Sequence, residues 1–158
     1  MDEWVVLLHV ATAFWFVAGI LGRNITMARA RTATDIRLLD ELVTLSGRFE
    51  RTMVIPGSFA VVVLGLLAAW ALGQPLAGND NWWLLTSLIL FLAIGALVPI
   101  VFLPHGKVFE FALADARAKG EVTPELRGAL RDSAVRNARA AELVSLAVII
   151  ALMVTKPF

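Results

Sequence analysis

Residues 82–103 read WWLLTSLILFLAIGALVPIVFL, a run without one charged side chain. A helix rises 1.5 Å per residue, so about 20 such residues cross the roughly 30 Å of hydrocarbon in a bilayer. Only a helix or a closed barrel satisfies its own backbone there. The run therefore reads as a membrane-spanning helix, and two of the same kind precede it. Residues 4–22 are interrupted only by His9 and Thr12, and residues 53–72 carry no charge. A fourth segment, 140–155, is weaker, because Glu142 leaves only 143–155 uncharged. It reads as a span if Glu142 faces protein and Arg136 and Arg139 snorkel to the interface. The expected fold is all-α, a single integral membrane domain over residues 1–158 built as a four-transmembrane-helix bundle, with spans at about 4–22, 53–72, 82–103 and 140–155.

Composition agrees. Of 158 residues 59% are hydrophobic and 17% charged, where a soluble domain carries about 25% charge. The chain has no Cys, which removes disulfides, thiolate zinc sites and thiol nucleophiles. It has no phosphate-binding Gly-rich motif, no HExxH, no acid cluster at metal spacing and no plausible Ser/His/Asp set, so hydrolase and nucleotide chemistry lack support. The start, Met1-Asp2-Glu3, lacks the positive region of a signal peptide, and the first helix is expected to be retained. Eleven Arg against three Lys, with abundant Ala and Leu, points to a bacterial chain.

Orientation follows from where the basic residues lie. Arg23, Arg29, Arg31, Arg37, Arg48 and Arg51 follow the first span, and seven more, from Lys107 to Arg139, follow the third. Thirteen of the fourteen thus occupy the two long connections, and the connection 73–81 has none. Both termini are therefore expected outside a bacterial inner membrane and both long connections in the cytoplasm. Their basic residues read as topology signals and lipid-headgroup contacts, not a nucleic-acid surface. Trp70, Trp82 and Trp83 fall at the outer boundary, where amphipathic rings are at home.

The connections themselves read as helical hairpin extensions. Thr34 is placed to cap a helix from Asp35, with Ile36, Leu39, Leu42, Val43 and Phe49 at helical spacing, and the second span continues it with a kink at Pro56. Past Pro104 and Gly106 the third span runs on through Phe109, Phe111 and Leu113, Gly120 breaks it, and Thr123-Pro124 starts the last helix. Ala18 and Gly22 on the first span, with Gly19 alongside, and Gly57 and Gly65 on the second, form small-residue strips suited to close helix approach.

Two intramembrane residues invite chemistry. His9 shares its helix face with Thr12, Ala13, Phe16 and Gly19, and Thr86, Ser87 and Met153 should lie at similar depth. One reading makes His9 a hydrogen-bonded helix residue; the other makes it an axial ligand of b-type haem, with Met153 as the second. Glu142 is either locked in an ion pair with Arg139, Arg51 or Arg48, or handles protons. His105 reads as a helix-end residue a membrane thickness from His9, and Lys156 as a snorkelling anchor.

The stretch Leu8, His9, Trp15, Phe16, Ala18, Gly19 resembles the first helix of small bacterial membrane proteins in the copper-resistance-D-like group, which includes the haem-binding protoporphyrinogen oxidase of the J type. Residues 51–66, with Ile55-Pro56-Gly57, and the ending Leu152, Met153, Val154, Thr155, Lys156, Pro157 look like a sister family of uncharacterised integral membrane proteins in that group. The resemblance implies a four-helix bundle with His9 as a tetrapyrrole or metal (copper) ligand. With no Tyr, and no counterpart beyond His9 to the oxidase's lysine-and-histidine set, it does not extend to oxidase activity. Three functions follow in order: a non-enzymatic accessory or structural bundle, alone in the bilayer, as a homodimer or with a partner membrane protein; a haem-binding or copper-binding protein using His9; and a small dimeric transporter using Glu142.

Overall fold

The computed structural model describes residues 2–76 and 81–157. All regular structure in them is helical: α1 (Asp2–Ala30), α2 (Ile36–Phe49), α3 (Ile55–Ala71), α4 (Trp82–Leu97), α5 (Leu103–Lys119), α6 (Pro124–Leu130) and α7 (Ser133–Thr155). A π-helical turn at Glu50–Val54 fuses α2 to α3, and another at Val98–Phe102 fuses α4 to α5. Four long rods result, Glu3–Ala30, Ile36–Ala71, Trp82–Lys119 and Pro124–Thr155, each long and apolar enough to cross a membrane.

The π turns explain how the rods pass their prolines. A proline inside a helix lacks the donor for its own turn, and its ring collides with the carbonyl four residues back. Widening the turn ahead of Pro56 relieves both problems: the Ile55 N–H bonds the Glu50 carbonyl five residues back, and Leu103 bonds Val98 in the same way ahead of Pro104. The sequence suggests a kink at Pro56; the chain absorbs one residue just upstream of it, in the π turn. Two further expectations shift. Asp35, not Thr34, caps α2, accepting from the Arg37 N–H at 2.6 Å. The last rod is broken at Arg131–Asp132, and Asp132 caps α7 through the Ala134 N–H at 2.8 Å. Gly120 takes the left-handed conformation, φ 73°, that ends α5. Thr123 caps α6, with Pro124 following.

The molecule has two layers. In the apolar layer α1 lies antiparallel to α3, with 9 opposite 65, 16 opposite 57, 19 opposite 54 and 23 opposite 50. Glycine makes this approach workable: a Cβ on Gly19 would lie 2.6 Å from the Met53 Cβ, and one on Gly22 2.7 Å from the Phe49 ring. Phe16, Ile20, Val54 and Leu146 form the core that joins this pair to α7, and the Phe16 and Phe91 rings meet at 5.8 Å. Toward the 72–82 end Ala69, Trp83 and Leu84 pack with Leu152 and Met153. Trp70 is 80% exposed, as expected of a boundary ring, whereas Trp83 is turned inward at 5% with the Lys156 ammonium 5.4 Å above it.

The second layer is the helical extension at the basic end. Leu39, Leu113, Ala116, Leu126 and Leu130 form a separate core there. Arg127 reaches from α6 to donate to the carbonyls of Arg31 and Ala33, and the Arg31 Nε donates back to the Leu130 carbonyl at 3.1 Å. Each guanidinium thereby satisfies carbonyls left open where the other's helix ends. Arg117 pairs with Asp40 nearby.

Candidate functional site

Between the two layers lies a buried charge cluster. Arg23, on the face of α1 that carries Gly19 four residues earlier, is 7% exposed. It donates through Nη1 to the Glu50 carboxylate at 2.7 Å and through Nη2 to the Glu142 carboxylate. Glu50 opens the first π turn, so it sits where the second rod changes register, and Glu142 lies on α7 at 5% exposure. One guanidinium thus ties three rods together. An unpaired ion at this depth is costly, and two charge-assisted bonds to one planar fork are the geometry that offsets the cost. The Ser46 hydroxyl donates to the Arg23 carbonyl, and the Thr26 hydroxyl bonds back into its own turn.

Sequence reasoning named Arg139, Arg51 and Arg48 for Glu142. Arg51 and Arg48 are exposed and do not pair with it. Arg139 shares the Glu142 face one turn away and lies within electrostatic reach of Glu142, Glu50, Arg23 and Arg31, but has no ion-pair partner among the described residues. Arg23 reads in sequence as one more topology charge. The overlooked signal is its position four residues beyond Gly19, which places it on the buried seam.

His9 occupies the opposite half of the apolar layer. Its Nδ1 lies 3.1 Å from the Val61 carbonyl, and its ring lies close against Gly65, where a Cβ would fall 3.0 Å from Cε1. A carbonyl only accepts, so Nδ1 carries the hydrogen and Nε2 keeps its lone pair in the neutral ring. The ring borders a cavity of about 60 Å³ shared with Val61, Gly65, Ser87, Phe91 and Met153. Thus His9, Ser87 and Met153 do come together, but the Ser87 hydroxyl is turned to the Trp83 carbonyl at 2.8 Å. That volume is small against the roughly 300–1,000 Å³ of sites that enclose organic ligands. No group of three or more His, Cys, Asp or Glu gathers at metal spacing among the described residues.

His105 pairs through Nδ1 with Asp132, joining α5 to the cap of α7. This bond chiefly, helped by the N–H groups of Ala134 and Val135, holds the Asp132 carboxyl below its ordinary range, against a smaller desolvation effect.

A family model described as "Predicted integral membrane protein (DUF2269)" matches residues 3–157, and the chain belongs to that family. No curated protein and no solved structure matches it.

Proposed function

We propose that this member of the family is an accessory or structural bundle of the bacterial cytoplasmic membrane rather than an enzyme. Both chain ends lie outside, residues 1–158 act as one membrane domain, and the basic extension layer faces the cytoplasm, where it is available to a second copy or a partner membrane protein. The observation that carries this reading is the Arg23 cluster: the buried Glu142 carboxylate and the half-buried Glu50 carboxylate are both engaged by one guanidinium that joins three rods, an arrangement suited to holding helices. Placement of thirteen of fourteen basic residues at that end supports the orientation.

One observation favours a second reading. The bond from Nδ1 to Val61 leaves the His9 Nε2 lone pair beside a cavity shared with Met153, the tautomer that a histidine ligand needs. His9 and Met153 would then be the axial pair of a b-type haem, in keeping with the resemblance to the copper-resistance-D-like group. Cavity size weighs against it, since about 60 Å³ is far below the roughly 300–1,000 Å³ that encloses an organic ligand.

Absorption spectra of detergent-purified protein made with ample haem, oxidised and dithionite-reduced, separate the two. The bundle reading predicts a colourless, folded protein that His9→Ala leaves colourless. A Soret band with a reduced α-band, lost in His9→Ala, would replace it with the haem reading.

A further inference from the structure

Around the Arg23 cluster, three buried N–H groups have no acceptor: Nε of Arg23, Nε of Arg139, and Nδ2 of Asn24, the residue after Arg23. Glu50 and Glu142 are engaged by Arg23, while Arg139 has Arg23 and Arg31 as like-charged neighbours. Within electrostatic reach of Arg139, its own charge and those of Arg23 and Arg31 exceed those of Glu50 and Glu142 by one, and the Arg31 Nε is bonded to the neutral Leu130 carbonyl. Buried donors are satisfied in nearly all proteins, and an uncompensated guanidinium away from bulk water is costlier still. An anion with several acceptor oxygens would meet a planar fork and neighbouring donors together while offsetting that charge.

The position narrows the choice. Arg139 stands one residue before the apolar segment 140–155, at the level where that rod leaves the hydrocarbon and phospholipid phosphates lie. Basic recesses between helices at this level suit anionic headgroups. We infer that Arg139, with the free N–H groups of Arg23 and Asn24, forms a binding site for a phosphate anion at the basic end of the bundle, supplied by an anionic phospholipid headgroup.

The test is a thermal-shift titration of the whole chain in a neutral detergent with dioleoylphosphatidylglycerol, with dioleoylglycerol as the phosphate-free control, and separately with inorganic phosphate. At tenfold excess over Kd the phosphatidylglycerol raises Tm by about 4 °C. Dioleoylglycerol has no such effect. Arg139→Gln abolishes the shift, and the exposed neighbour Arg136→Gln retains it. An equal, Arg139-dependent shift with millimolar inorganic phosphate supports the same site with a free anion as its source. The inference is overturned by an equal shift with dioleoylglycerol, by a shift that persists in Arg139→Gln, by equal loss in Arg136→Gln, or by no shift with either phosphate probe. If Arg139→Gln does not fold, native mass spectrometry of the unmodified chain decides. One retained phosphatidylglycerol in preference to dioleoylglycerol is expected, and no preference overturns the inference.

Discussion

Arg23 holds two carboxylates, Glu142 buried and Glu50 half-buried, so its removal and theirs are not equivalent. Arg23→Leu strands Glu50 and Glu142 together and is expected to destabilise the bundle by about 3–5 kcal/mol in reversible unfolding from detergent. Glu142→Gln costs less, because Arg23 keeps Glu50 and an amide oxygen still accepts a bond. Exposed Arg51→Ala stays within about 0.5 kcal/mol of the parent. The cost of an acid inside an apolar run marks Glu142 as a candidate for a buried ion pair or for proton handling. Its partner was not legible, because fourteen basic residues look alike until the helix seam is known. At the far end of α7, Asp132→Ala removes the cap and is expected to cost about 1 kcal/mol. Since the native Asp132 carboxyl lies below its unfolded value, its contribution is present above about pH 4 and fades as pH falls through the lowered native value. A stability profile of Asp132→Asn against the parent from pH 3 to 7 reads this directly, and curves that stay parallel throughout would refute it.

Along the α1–α3 contact the glycines separate by what they face. Gly19→Ala forces a Cβ against the Met53 Cβ, near the backbone, and is expected to cost about 1–3 kcal/mol. Gly22→Ala meets the Phe49 ring, which can turn aside, and costs less. Gly95→Ala meets nothing within 4 Å and stabilises slightly through helix propensity. Chemical denaturation of the three variants checks this order, and equal losses at Gly19 and Gly95 would contradict the packing. The small-residue strips were visible as spacing, and so were the extensions, because α2 keeps its apolar residues on one side. The π turns were hidden. Proline announces a disturbance, but whether a helix takes in an extra residue ahead of it depends on packing against its neighbours, which composition does not record. The break at Arg131–Asp132 was missed for a related reason: Asp132 is an ordinary polar residue unless its side chain turns to cap α7.

At the scale of the molecule, the described residues form an apolar layer whose rods run on into a helical extension, with a charge cluster at the junction and reciprocal arginine contacts at the tip. Length and hydropathy were enough to read the four rods, since a bilayer accepts few alternatives. Function was harder to read, because chemistry in such a chain rests on a few polar groups whose meaning depends on depth and neighbours. Trp83 shows the difficulty: beside Trp82 in sequence, it turns inward beneath Lys156. The proposed role depends on which side of the membrane receives the extension layer, and the absence of native Cys makes that side measurable with single introduced thiols. Thr34→Cys at the tip of the first hairpin and Gln74→Cys past the end of α3 are each exposed to a membrane-impermeant maleimide in intact spheroplasts and again after permeabilisation. Labelling of Gln74→Cys in intact spheroplasts, with Thr34→Cys reacting only after permeabilisation, is the expected result; the reverse pattern, or equal labelling of both before permeabilisation, would contradict a cytoplasmic extension layer.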